Sequence, residues 1–175
     1  MEVEPKNETL REAREDFVSQ WGAIGSSWGV NRTMAQIHAL LMTATRAMST
    51  DEIMAELQIS RGNANTNLRD LAGWGLIRTV LRKGERKEYF EAEKDVWKMF
   101  CIVTRERRRR EIAPAMEVLL RCGEKTKDLK DPEAQEFHRQ ISSLLDFLRM
   151  GERVMEKVAV SEQSRIMKMV MKFFV

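Results

Sequence analysis

Two short amphipathic helical patterns lie three residues apart in the middle of this chain, and that spacing constrains the fold more than any other feature. Over 51–57, Ile53, Met54 and Leu57 supply one apolar face, and Ser49 and Glu52 stand ahead of them in capping-box spacing. Residues 58–60 form a tight connection, and Ser60 is placed to cap a second helix over 61–73. The inward positions of that helix are Ala64, Leu68 and Leu71, at i, i+4 and i+7, and Trp74-Gly75 stops it. These are the lengths of a helix-turn-helix, in which the first helix packs across the second.

The flanking segments complete the arrangement. Upstream, Asn31 caps a helix running to about Thr45, with Met34, Ile37, His38 and Leu41 on a buried stripe. Downstream, 76–82 and 87–92 are β-like runs around Lys83-Gly84-Glu85-Arg86, a hairpin turn centred on a glycine. Residues 31–93 therefore read as a winged helix-turn-helix.

At the N-terminal end, 8–20 forms an amphipathic helix through Leu10, Ala13, Phe17 and Val18. The three glycines and two serines of 21–29 are expected to loosen or end it. From Asp95 a helix carries Val96, Met99, Phe100 and Val103, and Pro114 is expected to kink or break it near Ala113. Apolar spacing resumes at Met116, Leu119 and Leu120, and Cys122-Gly123 with the polar run to Lys130 reads as a loop. Asp131-Pro132 starts a helix with Phe137, Ile141, Leu144, Leu145 and Leu148. A last helix from about Ser161 carries Ile166, Met169, Val170, Phe173 and Phe174. The expected fold is mainly α: a winged helix-turn-helix with flanking N- and C-terminal dimerisation helices. The expected organisation is an N-terminal helical arm over 1–30, a DNA-binding domain over 31–93 and a helical dimerisation region over 94–175.

Charge is where composition enters. The net charge is only +3, but it is unevenly spread. Residues 1–20 carry three Lys/Arg against six Asp/Glu, 78–87 carry five against one, and 94–130 carry eleven against six. A local cationic region of this kind points to an anionic partner. The acidic N-terminus has no apolar signal-peptide core, and no apolar run spans a bilayer, so a cytoplasmic protein is expected. Cys101, Cys122, His38 and His138 have no metal-ligand spacing, and no cofactor is expected. No nucleophile–base pair, phosphate loop or carboxylate pair can be assembled, so the chain does not read as an enzyme.

Opposite Ala64, Leu68 and Leu71, the second helix presents Arg61, Asn65, Thr66 and Arg69, with Asn63 in its first turn. Arginine chelates guanine, asparagine chelates adenine, and threonine donates to phosphate or touches a thymine methyl. Polar residues solvating an exposed helix would account for much of this. The three asparagines Asn63, Asn65 and Asn67 weigh against that account, because asparagine is a poor helix former and an interaction face would explain its use. Gly62 leaves the helix start open to a phosphate. The hairpin cations Arg78, Arg82, Lys83, Arg86 and Lys87 sit where a wing follows the phosphate backbone, although charge also protects an edge strand.

Other conspicuous groups read more plainly. The run 105–111 wraps around a helix axis and forms i, i+4 pairs, Glu106–Arg110 and Arg107–Glu111, so it reads as a solvated, salt-paired helix. His38 reads as a core histidine with one satisfied hydrogen bond. Trp21, Trp28, Trp74 and Trp97 could cage a quaternary ammonium, but packing is their expected use. The apolar terminal helix is expected at a dimer interface.

The stretch Ser60-Arg61-Gly62-Asn63-Ala64-Asn65-Thr66-Asn67-Leu68-Arg69-Asp70-Leu71-Ala72-Gly73-Trp74-Gly75-Leu76-Ile77 resembles the recognition helix and wing start of MarR-type regulators. The runs from Trp28 to Leu41 and from Gly84 to Phe90 are similar to the GbsR branch, the glycine betaine synthesis repressors and their relatives. The resemblance implies a homodimeric winged helix that regulates transcription, as a repressor, on double-stranded DNA. It implies DNA contact for Arg61, Asn63, Asn65, Thr66, Arg69 and the wing cations. It also brings in a choline-like effector, known for the namesake of the branch, for which no ligand residues are placed here. The competing expectation is a winged-helix protein-interaction module without direct DNA binding, which would need an apolar patch on the helix at 61–73.

Overall fold

A computed structural model describes residues 5–160, which form two compact units meeting in sequence between Asp95 and Val96. The chain is mainly helical with one small antiparallel sheet, as a winged helix requires.

In the first unit, α1 (Pro5–Ser27) packs along α2 (Arg32–Thr43). The glycines of 21–29 do not end α1 where expected. Gly22 and Gly25 are buried within the helix, where a Cβ would fall 2.6 Å from Gln36 Cγ and from Ala35 Cβ respectively. They are sites of close helix approach. Ser26 and Ser27 turn their hydroxyls back onto the helix, donating to the Gly22 and Ala23 carbonyls at 3.1 and 3.3 Å. Only Gly29, at φ 75°, acts as the stop.

Asn31 caps α2 as expected, its Oδ1 accepting from Met34 N–H at 3.1 Å. Seven residues of α2 are buried, so this helix is the centre of the unit. His38 is among them, but the expected hydrogen bond is not made at Nε2, which has no partner. Burial lowers its pKa to about 4, and the ring is neutral at pH 7.

Next come β1 (Met48–Ser49), α3 (Thr50–Leu57) and α4 (Arg61–Trp74), then β2 (Ile77–Leu81) and β3 (Glu88–Ala92). The sheet order is β1-β3-β2, with Met48 opposite Phe90 and Leu81 opposite Glu88. The two-residue β1 is too short to show any periodicity in sequence. Ile37, Leu41, Ile53 and Leu71 are fully buried, and Leu68, Leu76, Ile77 and Phe90 complete a core beneath α4 and the hairpin.

The second unit holds α5 (Val96–Arg107), a π-helical turn (Arg108–Ile112), α6 (Ala113–Thr126) and α7 (Pro132–Val160). Pro114 does not break the helix. The turn just before it widens, so that Ala113 N–H reaches the Arg108 carbonyl five residues back, and the helix continues. The expected loop from Cys122 is also shorter: α6 runs through Gly123 to Thr126, whose hydroxyl donates to the Cys122 carbonyl at 3.0 Å. Asp131 Oδ1 accepts from Ala134 N–H at 2.9 Å at the start of α7, and Pro132 is its first residue. The last expected helix, from Ser161, lies outside the described residues.

Cys101, Leu119 and Leu145 are buried in this unit, whereas Val96 and Phe100 of the expected α5 stripe are exposed. The arginine run is salt-paired as expected. Buried Glu106 accepts from Arg109 and Arg110, Arg107 pairs with Glu111 at 2.9 Å, and Arg108 reaches Glu152 at 2.8 Å.

Candidate nucleic-acid interface

The capping box ahead of α3 is complete. Ser49 N–H donates to Glu52 Oε2 at 2.7 Å, and Ser49 Oγ accepts from Glu52 N–H at 3.4 Å. The Arg46 guanidinium, with the N–H and hydroxyl of Ser49, holds the Glu52 pKa down to about 2. Gln58 then takes the left-handed conformation at φ 53°, which turns the chain within the expected connection. Ser60 Oγ accepts from Asn63 N–H at 3.3 Å and starts α4, and Gly75 at φ 86° ends it.

Ala64, Leu68 and Leu71 point inward, as their spacing predicts. Asn67 joins them. It is buried, and its Nδ2 donates to the Asn63 carbonyl at 2.8 Å and to Asn63 Oδ1 at 2.7 Å. Of the three asparagines expected on an outward interaction face, Asn67 is therefore an internal brace.

Arg61, Asn63, Asn65, Thr66 and Arg69 are all exposed, but they are not equivalent. Asn63 is engaged through both ends of its amide, since its Nδ2 also donates to Thr33 Oγ1 at 3.4 Å. Arg61 is ion-paired to Asp51. Asn65, Thr66 and Arg69 stand on the outward face, and none of them hydrogen-bonds or ion-pairs to another described residue. No large apolar side chain is exposed on α4, so the patch required of a purely protein-binding helix is missing from this described element.

The wing shows the same division. Its tip is 82–87, with Gly84 at φ 86° and Glu85 N–H donating to the Arg82 carbonyl at 3.1 Å. Arg78 pairs with Glu91, its cross-strand neighbour. Arg82 lies over the Tyr89 ring, 3.8 Å from its centroid, and reaches the Ala47 carbonyl at 3.4 Å. Lys87 Nζ lies 3.2 Å from Asp51 Oδ2. Lys83 and Arg86 are exposed and form no ion pair among the described residues.

Asp51 is the residue that sequence reasoning missed. Hydrogen bonds from Arg61 and Lys87 hold its carboxyl below the usual range. The only local signal was an acid in the first turn of a helix, which is common. Its partners lie 10 and 36 positions away and are brought to it by the fold.

Among the described residues no cluster of three His, Cys, Asp or Glu side chains could hold a metal, and no helix is long and apolar enough to cross a membrane. Cys101 and Cys122 are free thiols. Phe17 stacks on Trp21 at 5.4 Å and Trp97 on Phe100 at 5.3 Å, which uses these tryptophans in packing.

The fold and this face define a winged-helix protein of the kind found in transcriptional regulators. The chain is similar to the HTH-type transcriptional repressor GbsR of Bacillus subtilis (strain 168), with 25% identity over 100 residues. That match covers 57% of this chain and 55% of GbsR, so it spans about half the length of each. A solved structure described as that of a transcriptional regulator shares the fold at a TM-score of 0.69 and 20% identity, over 87% of this chain and 99% of its own. No protein-family model matches the chain. The resemblance to GbsR-type regulators read from 60–77 and its flanks is thus met again in a known repressor.

Proposed function

We propose that this chain is a transcriptional regulator, acting as a repressor, that binds double-stranded DNA as a homodimer with α4 in the major groove and the wing on the phosphates. The observation that carries the reading is the side-by-side exposure of Asn65, Thr66 and Arg69 on a helix whose opposite face is buried. These three are the base readers. Lys83 and Arg86 are the wing's phosphate contacts. Arg61, Asn63, Arg78, Arg82 and Lys87 border this face, each held by a partner within the chain. The similarity to GbsR supports the regulatory role.

The homodimer reading is supported by α7. It buries Leu145 on one side and exposes Leu144, Phe147, Met150 and Val154 on another, at spacings of three and four residues. A stripe of that kind on a charged helix is covered in a stable protein.

The test is selection of bound duplexes from a random pool. The expected product is a palindrome with half-sites about one helical turn, roughly 34–36 Å, apart. Arg69→Ala should lose about 10–100-fold on the selected site, from roughly 1–3 kcal/mol per bidentate contact, and much less on random duplex. Equal losses on both would remove the base-reading role. No binding to any duplex at low salt would leave the protein-interaction module.

A further inference from the structure

The basic face described above carries an acid at its centre. Asp51 sits in the first turn of α3, yet it does not cap that helix, because Ser49 and Glu52 already complete the capping box. Its two carboxylate oxygens are divided between two other elements. Oδ1 takes Arg61 at the start of α4, and Oδ2 takes Lys87 at the end of the wing tip. One carboxylate thus neutralises two of the seven cations on the proposed DNA face and joins the reading helix to the wing.

Stability does not explain this arrangement. The Asp51, Arg61 and Lys87 side chains are 46%, 61% and 63% exposed, and ion pairs so open to water contribute little to folding. Their effect falls on whatever anion approaches the face.

We propose that Asp51 is a specificity-determining residue that withholds Arg61 and Lys87 from DNA phosphates. The inference rests on the DNA-binding reading above. A complex on random sequence is free to shift along the duplex and draws its energy from phosphates alone. It therefore loses most when two cations are held back. A complex on the operator is positioned by base contacts from Asn65, Thr66 and Arg69, and it keeps the Asp51 pairs in place. Asp51 also fixes the wing tip against α4, so the phosphate-contacting and base-reading elements approach DNA in one register.

The experiment measures binding of the full chain to a selected operator and to a random duplex across a salt series. Asp51→Asn preserves the side-chain shape and removes the charge. Random-duplex affinity should rise several-fold and its salt slope should steepen by about one to two, one unit for each cation released. Operator affinity should change less, so the ratio of specific to non-specific binding falls. A second measurement does not touch Asp51. Lys83→Gln should lower the wild-type random-duplex slope by about one, whereas Lys87→Gln, which removes a cation already neutralised, should lower it much less. If Asp51→Asn leaves random binding and the ratio unchanged, or if Lys83→Gln and Lys87→Gln act equally, the inference falls while the DNA reading stands. If the wild-type chain binds neither duplex, both fall.

Discussion

A Cβ placed on Gly25 would lie 2.6 Å from the Cβ of Ala35, so α1 and α2 meet almost backbone to backbone at this point. Ala35 is buried on α2, and its Cβ can yield only if the helix itself moves. Gly22, one turn earlier, faces the side chains of Gln36 and Arg32, whose atoms can swing away.

The two glycines should therefore respond differently to one methyl group. Gly25→Ala is expected to destabilise by about 1–3 kcal/mol, the range for overpacking a tight contact. Gly22→Ala is expected to be near neutral, because displacement of Gln36 is offset by the roughly 0.5–1 kcal/mol that alanine gains over glycine inside a helix. Urea unfolding of the two variants checks this, and equal midpoints would show that the α1–α2 contact is looser than 2.6 Å implies.

These glycines also mark what could be read from the chain. Gly22 and Gly25 look like helix breakers because glycine is judged against its neighbours in sequence, and their actual partners Gln36 and Ala35 are on another helix. Cys122-Gly123 reads as a loop for a similar reason, although α6 carries the chain through it, and at Pro114 the expected disturbance takes the form of a widened turn rather than a break. The α3–α4 motif was legible because its caps, Ser49 with Glu52 and Ser60, bond to residues only three positions away. The outward face of α4 followed from period alone. Which of its side chains are engaged did not, because Asn67 bracing Asn63 and Asp51 holding Arg61 depend on side-chain geometry.

The exposed stripe on α7 gives a second prediction. Phe147 is 63% exposed and Val154 59%, which on an isolated chain places large apolar groups in water. If a second copy covers them, Phe147→Glu buries an unpaired charge in the interface and should convert a dimer to a monomer at micromolar concentration. The same change on a monomer would alter nothing, since the side chain already faces solvent. Sedimentation or light scattering of both proteins distinguishes the cases, and a wild-type monomer would remove the homodimer from the proposal.

Stability should depend on pH through His38. The unfolded imidazole titrates near 6.5, and in the folded chain burial lowers it to about 4. Between those values the unfolded chain binds a proton that the folded chain does not, so stability rises with pH across this window. It is greatest above pH 6.5, declines as the pH falls, and levels off near 4 as far as this group is concerned. At about 1.4 kcal/mol per unit, the whole window is worth about 3 kcal/mol. Glu52 acts in a lower window. Its folded pKa, about 2, lies below the ordinary 4.5, so its contribution is present above 4.5 and is lost as the pH falls toward 2. The two effects separate by mutation. His38→Leu also removes the orphaned Nε2 and should flatten the profile between pH 6.5 and 4.5 at little cost near pH 7. Glu52→Gln should lower stability near neutrality and leave the slope in the upper window unchanged. If His38→Leu retains the wild-type slope from pH 6.5 to 4.5, the proton is taken up elsewhere and the buried ring is not the cause.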